Sequence, residues 1–217
     1  NSKGINLCSH ASPGCAKACL FNSGAARFDR VQEGKINKTE YFLADRKAFL
    51  EQLDAEIGKI ERKFAKISDA IPAIRLNGTS DIPFEKFKIR DGKNIFELYP
   101  NIQFYDYTKN HFRFRKTLAK NYHLTFSMSE TNKETTLEIL RDGFNVAIVF
   151  GVKNENDLPA YYKGFKVVNG DESDLRFMDE QNVIVGLKYK NLTGKGTKGV
   201  NKDNLENNDF IVNVDDS

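Results

Sequence analysis

Tryptophan is absent from the 217 residues, methionine occurs twice, histidine three times and proline five times. With 17 Phe and 8 Tyr as the large side chains, the core has to be built from phenylalanine and aliphatic residues. No apolar run approaches the roughly 18 residues of a membrane span, which excludes an integral membrane protein built on such helices. Neither sign of charge dominates. Lys plus Arg number 33 against 30 Asp plus Glu, and the surplus of +3 is too small to argue nucleic-acid binding from charge alone. At 40% hydrophobic and 29% charged residues the composition is not that of a disordered tail. The chain is long enough to bury a core without needing disulfides or metal to fold.

Cysteine is scarce and unevenly placed. Cys8, Cys15 and Cys19 share one short stretch, and no cysteine follows. A disulfide framework spreads an even number of cysteines along a chain, so an odd trio in one loop points to metal or cluster ligation in a reducing compartment. No secretory signal precedes them. The chain opens at Asn1 in what reads as mid-element, so preceding residues, targeting signals included, are expected to be missing.

One α/β domain over residues 1–217 is expected, with a cysteine loop at 8–19, a helical region at 29–67, βα repeats at 72–190 and a mobile tail at 191–217. Asp29 reads as an N-cap. From Arg30 to about Lys66, Ile36, Phe42, Leu43, Phe49, Leu50, Leu53, Ile57, Ile60 and Phe64 recur at helical spacing, with a break expected at Gly34 or Asn37. From Pro72 the pattern changes to short β-prone runs: Ala73–Leu76, Ile102–Tyr105, His123–Phe126, Val146–Phe150, Phe165–Val168 and Val183–Leu187. Between them, Lys133–Arg141 reads as a helix stopped by Gly143, and His111–Lys120 as a shorter basic helix. Alternation at this spacing predicts a parallel βα-repeat sheet, as a partial or complete TIM-like barrel, with an open doubly wound sheet as the rival. Phe210–Val214 reads as a last strand.

Ligands of parallel α/β folds bind at the carboxyl ends of strands. Those ends are polar here: Asn77-Gly78-Thr79-Ser80-Asp81, Asp106 to Lys109, Ser127 to Glu130, Asn169 to Asp174 followed by Arg176, and Lys188. Turn preference covers any one of these, but not an acid or cation after nearly every strand. Asp81 and Asp106 are the leading acids, with helix capping as the competing role. Lys109, Arg176 and Lys188 suit a carboxylate or phosphate, or neutralise the acids in a buried network. His123 reads as a sheet histidine. The cations and aromatics of His111–Lys120 suit base stacking or an amphipathic surface equally. The Gly-Lys-rich stretch 194–199 lacks the spacing of a phosphate loop.

The cysteine loop has C-x6-C-x3-C spacing. Three thiolates can hold three irons of a [4Fe–4S] cluster and leave the fourth iron open. The Pro13-Gly14 turn would return Cys8 beside a helix carrying Cys15 and Cys19 one turn apart. Zinc is the alternative, with His10 completing a Cys3His set, although Cys8 and His10 are closer in sequence than the usual ligand gap.

A three-cysteine loop leading into βα repeats resembles the radical S-adenosylmethionine (SAM) enzymes, whose usual spacing is C-x3-C-x2-C. That resemblance implies SAM as cofactor, with Asn77, Gly78, Thr79, Ser80 and Asp81 contacting its methionine end as a Gly-Gly-Glu-Pro-like segment does in those enzymes. Ser12-Pro13-Gly14-Cys15, after a wider first gap, is similar to a phage-encoded radical-SAM-like group. Blocks from Asn6 to Cys19, Lys35 to Thr39, Ala44 to Arg46, Arg75 to Pro83, Phe104 to Lys109, Tyr122 to Ser127, Gly170 to Phe177 and Ile184 to Lys188 look like the phage gene product 88 family. What that implies is a bacteriophage origin and the host cytoplasm as location.

Two functions follow as expectations. The first is a radical-SAM-like iron–sulfur enzyme acting on a small-molecule or nucleotide substrate. Cys8, Cys15 and Cys19 hold its cluster; Asp106, Lys109 and Glu130 do its catalytic work; Asn77–Asp81, Asp171, Arg176 and Lys188 bind its cofactor. The second is a zinc-stabilised protein that interacts with nucleic acid, or a divalent-metal nuclease using the strand-end acids. No membrane partner is expected, and no oligomeric state follows from the sequence.

Overall fold

The computed structural model describes residues 4, 6–22, 24–190 and 208–214. Seven strands form one sheet: β1 (Ala73–Ile74), β2 (Gln103–Thr108), β3 (Tyr122–Ser127), β4 (Val146–Phe150), β5 (Tyr161–Tyr162), β6 (Phe165–Asn169) and β7 (Ile184–Lys188). Five helices accompany them: α1 (Pro13–Lys17), α2 (Asp29–Ala44), α3 (Arg46–Phe64), α4 (Ile95–Leu98) and α5 (Lys133–Arg141). No helix among the described residues is long and apolar enough to cross a membrane.

The strands lie in the order β1-β2-β3-β4-β7-β6-β5. β1 pairs with β2, β3 with β4, β4 with β7 and β6 with β7 in parallel; β5 pairs antiparallel with β6. The α/β class and the mostly parallel sheet agree with the sequence pattern. The described strands end on β1 at one side and β5 at the other, so a TIM-like barrel is not what this order displays. β7 enters between β4 and β6 instead of extending the growing edge.

The chain divides into two compact units, one of Asn1–Ser9, Phe28–Asp106 and Lys116–His123, the other of His10–Arg27, Tyr107–Arg115 and Leu124–Ser217. In the first unit the core is aromatic. Phe42 meets Phe49, Phe84 and Phe87 edge to face, and Phe96 stacks on Tyr122 with ring centroids 3.8 Å apart. α3 buries Leu50 and Ile57 on one face. Tyr99, following α4, donates its hydroxyl to the Asp54 backbone carbonyl at 2.7 Å, tying that segment to α3.

The helical region breaks at Asp45, not at Gly34 or Asn37. Asp45 leaves the helical conformation and its carboxylate accepts the Ala48 amide at 3.0 Å, so it caps α3. Gly34 stays inside α2, where glycine costs only about 1 kcal/mol. At the start of α2, Phe28 and not Asp29 holds the N-cap position, with no side-chain bond.

In the second unit Phe126, Met128, Ile139, Leu140, Val146, Ile148, Phe150, Ile184 and Val212 form the core. The near-continuous apolar runs of β4 and β7 are those of parallel strands covered on both faces. α5 spans Lys133–Arg141 as the periodicity predicts, and Gly143 closes it at φ +91°. The basic helix expected over His111–Lys120 shrinks to a single 3₁₀ turn at His111–Arg113. Asn110 caps that turn by accepting the Phe112 amide, Arg113 is buried, and Phe114 packs edge to face on Phe126 and Phe144. A helix with a solvated basic face would have exposed those side chains.

The β5–β6 hairpin has no counterpart in the sequence reading. Lys163 and Gly164 both take positive φ in its two-residue turn, a job usually done by Asn-Gly or Asp-Gly. Of the expected final strand, Val212 makes a lone parallel bridge to Phe150. Residues 191–207 of the expected mobile tail lie outside the described residues.

Candidate functional site

In the second unit, the turn after β3 brings Glu130 to the cysteine loop. Ser12 Oγ donates to Glu130 Oε2 at 2.6 Å and the Gly14 amide donates to Oε1 at 2.7 Å. Ser12 in turn caps α1 by accepting the Cys15 amide at 3.2 Å. Asn208 closes the other side, donating to the Gly14 carbonyl at 3.2 Å. Gly14 is buried here because nothing larger fits: an added Cβ would stand 2.5 Å from Asn208 Oδ1 and 2.8 Å from Glu130 Oε1. The carboxylate therefore fixes the backbone that carries Cys15.

Lys109, just past β2, donates to Ser127 Oγ at 2.7 Å, lies over the Phe210 ring and reaches the Cys15 sulfur. Burial pushes the Cys15 thiol above its ordinary value, and the neighbouring Lys109 ammonium offsets part of that rise. Cys19 and Glu130 add to it by like-charge repulsion. Cys19 follows α1 instead of sitting on it, and accepts the Phe21 amide at 3.4 Å. We expect alkylation of Cys15, followed by mass spectrometry against pH, to titrate above an unperturbed thiol. A Lys109→Met variant should move that titration higher still and slow the reaction at neutral pH several-fold. A lower midpoint in Lys109→Met would refute the assigned role of the ammonium.

In the first unit, Cys8 donates its thiol to the Thr79 carbonyl at 3.6 Å and the Asp81 amide donates to Leu7 O at 3.2 Å. Residues 77–83 are a turn organised by Asn77. Its side-chain oxygen accepts from Ser80 Oγ and the Ile82 amide, both at 2.8 Å, and its amide nitrogen donates to Ile82 O and to Asp106 Oδ2, both at 3.0 Å. Gly78 has no atom within 4 Å of an added Cβ, so its backbone stands open. Asp106 is 1% exposed. Its carboxylate also accepts the Asn77 backbone amide at 2.7 Å and the Tyr122 hydroxyl at 3.0 Å. Asp106 holds the turn from behind.

The remaining expected residues form a separate group in the second unit. Asp171 accepts the Lys188 backbone amide at 2.7 Å and pairs with Lys190 at 3.3 Å. The Lys188 ammonium pairs with Glu155. Arg176 is buried, donates to Ser173 O and pairs with Asp179 at 3.4 Å. Burial lifts the Asp179 carboxyl above its ordinary value, and Arg176 counters part of that rise. The partners named here are protein groups, while Arg176 Nε and Nη1 and Asp179 Oδ2 are buried without a hydrogen-bond partner.

None of the three cysteines forms a disulfide. Among the described residues no group of three or more His, Cys, Asp or Glu is gathered into a ready metal site. Asn208 escaped the sequence reading, and Ser12, Tyr122 and Ser127 stood in it only within motifs and a strand end, without a role of their own. Ser12 had a signal in its place before Pro13-Gly14-Cys15, whereas Asn208 had none. A family model described as Gene product 88 matches residues 1–203. No curated protein and no solved structure matches the chain.

Proposed function

The chain belongs to the Gene product 88 family, a bacteriophage family, and within it we propose an iron–sulfur protein of radical-SAM type, with Cys8, Cys15 and Cys19 as thiolate ligands. The observation that carries this reading is the clamp on the cysteine loop. Glu130 spends both oxygens, at 2.6 and 2.7 Å, on fixing the turn that presents Cys15. A catalytic thiol would need a lowered pKa, but burial raises this one. A metal centre removes that difficulty, because coordination itself deprotonates the thiol. Cys19 lies close enough to act on Cys15 electrostatically, and Cys8 supplies the third sulfur of the loop by its place in the sequence. When bound, the cluster supplies one electron to SAM.

The contact between the Cys8 segment and the 77–83 turn supports a SAM role for Asn77–Asp81. In this reading Gly78 offers open backbone to the cofactor. Asn77 and Asp106 position the turn, and Glu130 positions the cysteine loop. Lys109 is the cation nearest the Cys15 sulfur in this reading. The zinc–nuclease alternative has less support, since Asp106 and Glu130 already accept protein donors.

The test is iron and acid-labile sulfide analysis, with an absorption spectrum, on protein purified without oxygen. About four irons and four sulfides per chain are expected, with visible absorbance that Cys15→Ala removes. Reductive cleavage of SAM by the reduced protein is the second expected result. One zinc per chain, or no metal at all after cluster reconstitution, would overturn the proposal.

A further inference from the structure

We infer that a groove in the first unit binds single-stranded nucleic acid along its phosphodiester backbone. The groove encloses about 340 Å³ between the start of α3 and the segment 86–89. Arg46 and Lys47 stand on one side and Lys86 and Lys88 on the other, over a floor of Leu50, Phe87 and Ile89. Four cations line it against one carboxylate, Glu51, in a chain whose overall surplus is only +3. Charge of one sign is therefore concentrated here.

The local backbone explains the arrangement. Lys86-Phe87-Lys88-Ile89-Arg90 alternates, with the three cations exposed and the two apolar side chains half-buried. Lys86 closes a 3₁₀ turn at Phe84–Lys86 and Arg90 pairs with Asp54 at 2.9 Å, so Lys86 and Lys88 are the cations of this row that line the groove. Asp91 and Gly92, both at positive φ, turn the chain sharply after that row, and the Arg90 carbonyl accepts the Lys93 amide at 2.9 Å. Across the groove the Arg46 guanidinium is held in place by the rings of Phe42 and Phe87, 5.1 and 5.2 Å from their centroids. The Lys47–Glu51 pair, at 3.9 Å between exposed side chains, is a weak competitor for a phosphate. Lys88 pairs with Glu97 at 3.0 Å, also on the surface.

Cations on both walls and an apolar floor suit a strand with regular charge and flat bases better than an isolated anion. An acidic peptide would satisfy the charge but has less use for the floor. The inference stands apart from the cysteine loop, so the iron analysis and the binding experiment fail independently.

Anisotropy of a fluorescein-labelled oligothymidylate, titrated with the full chain over a range of salt, tests it. Binding is expected with log K falling linearly in log salt. A Lys47→Ala/Lys86→Ala variant should bind about tenfold more weakly at low salt, with a slope shallower by about 1.4 for two lost phosphate contacts. A Lys59→Ala/Lys63→Ala variant, which removes exposed lysines of α3 that do not line the groove, should retain the wild-type curve. No binding at low salt, an equal loss in the second variant, or displacement of the oligonucleotide by polyglutamate at equal charge would each overturn the inference.

Discussion

Asp106→Ala is expected to lower the free energy of unfolding by about 3–5 kcal/mol. The carboxylate is 1% exposed and accepts from the Asn77 amide at 2.7 Å, the Asn77 side chain at 3.0 Å and the Tyr122 hydroxyl at 3.0 Å. Truncation removes the acceptor these buried donors share, and the desolvation cost of that loss exceeds the net worth of the bonds themselves. Asp106→Asn should fall between the two. Its carbonyl oxygen keeps the bonds of one carboxylate oxygen, but its NH2 now faces donors. Urea unfolding of the three proteins decides the matter. An Asp106→Ala midpoint equal to wild type would mean that the carboxylate serves a substrate and not the turn.

Under the proposed iron–sulfur reading, Glu130→Ala should strip the cysteine loop of its anchor and reduce bound iron at least tenfold. Gly14→Ala should act in the same direction, because its Cβ would sit 2.8 Å from Glu130 Oε1 and force the clamp open. Retention of full iron content by both variants would separate the clamp from the metal site. The clamp also carries a pH signature. Burial by itself raises the Glu130 carboxyl, but donation from Ser12 and Gly14, helped by Lys109, outweighs it and holds the group below its ordinary value of 4.5. A depressed carboxyl adds stability that is fully present above the unfolded value and lost as pH falls through the folded one. The stability difference between wild type and Glu130→Gln should therefore be flat at neutral pH and shrink on acidification below about 4.5. A difference that grows on acidification would contradict this assignment.

Asp106 and Glu130, expected from the sequence to do catalytic work, both accept donors from the protein itself. Strand-end carboxylates look alike in sequence whether they meet a ligand or a backbone amide. What separates the two cases is the partner. For Glu130 the partners lie 116 and 118 residues away along the chain. The Asn77–Pro83 turn was easier to read, because Asn, Gly and Ser bond their own neighbourhood. Its role as the wall beside Cys8 depends on the fold. Arg113 illustrates the opposite error, since its place among cations and aromatics suggested a solvated basic helix, yet it is buried.

The local elements and the kind of core were legible along the chain. Helical spacing marked out α5, and a β-branched apolar run marked out β4, both at their observed bounds. The lack of tryptophan dictated the packing of phenylalanines around Phe42. The crowding of three cysteines into one loop was likewise plain. Long-range packing placed β7 between β4 and β6, ended the first long helix at Asp45 and not Gly34, and closed Glu130 and Asn208 on Gly14. Periodicity and turn chemistry act over a few residues, so a single chain displays them. Strand order and the pairing of a buried carboxylate are settled by which distant surfaces pack, and the local pattern is the same for every arrangement that buries it.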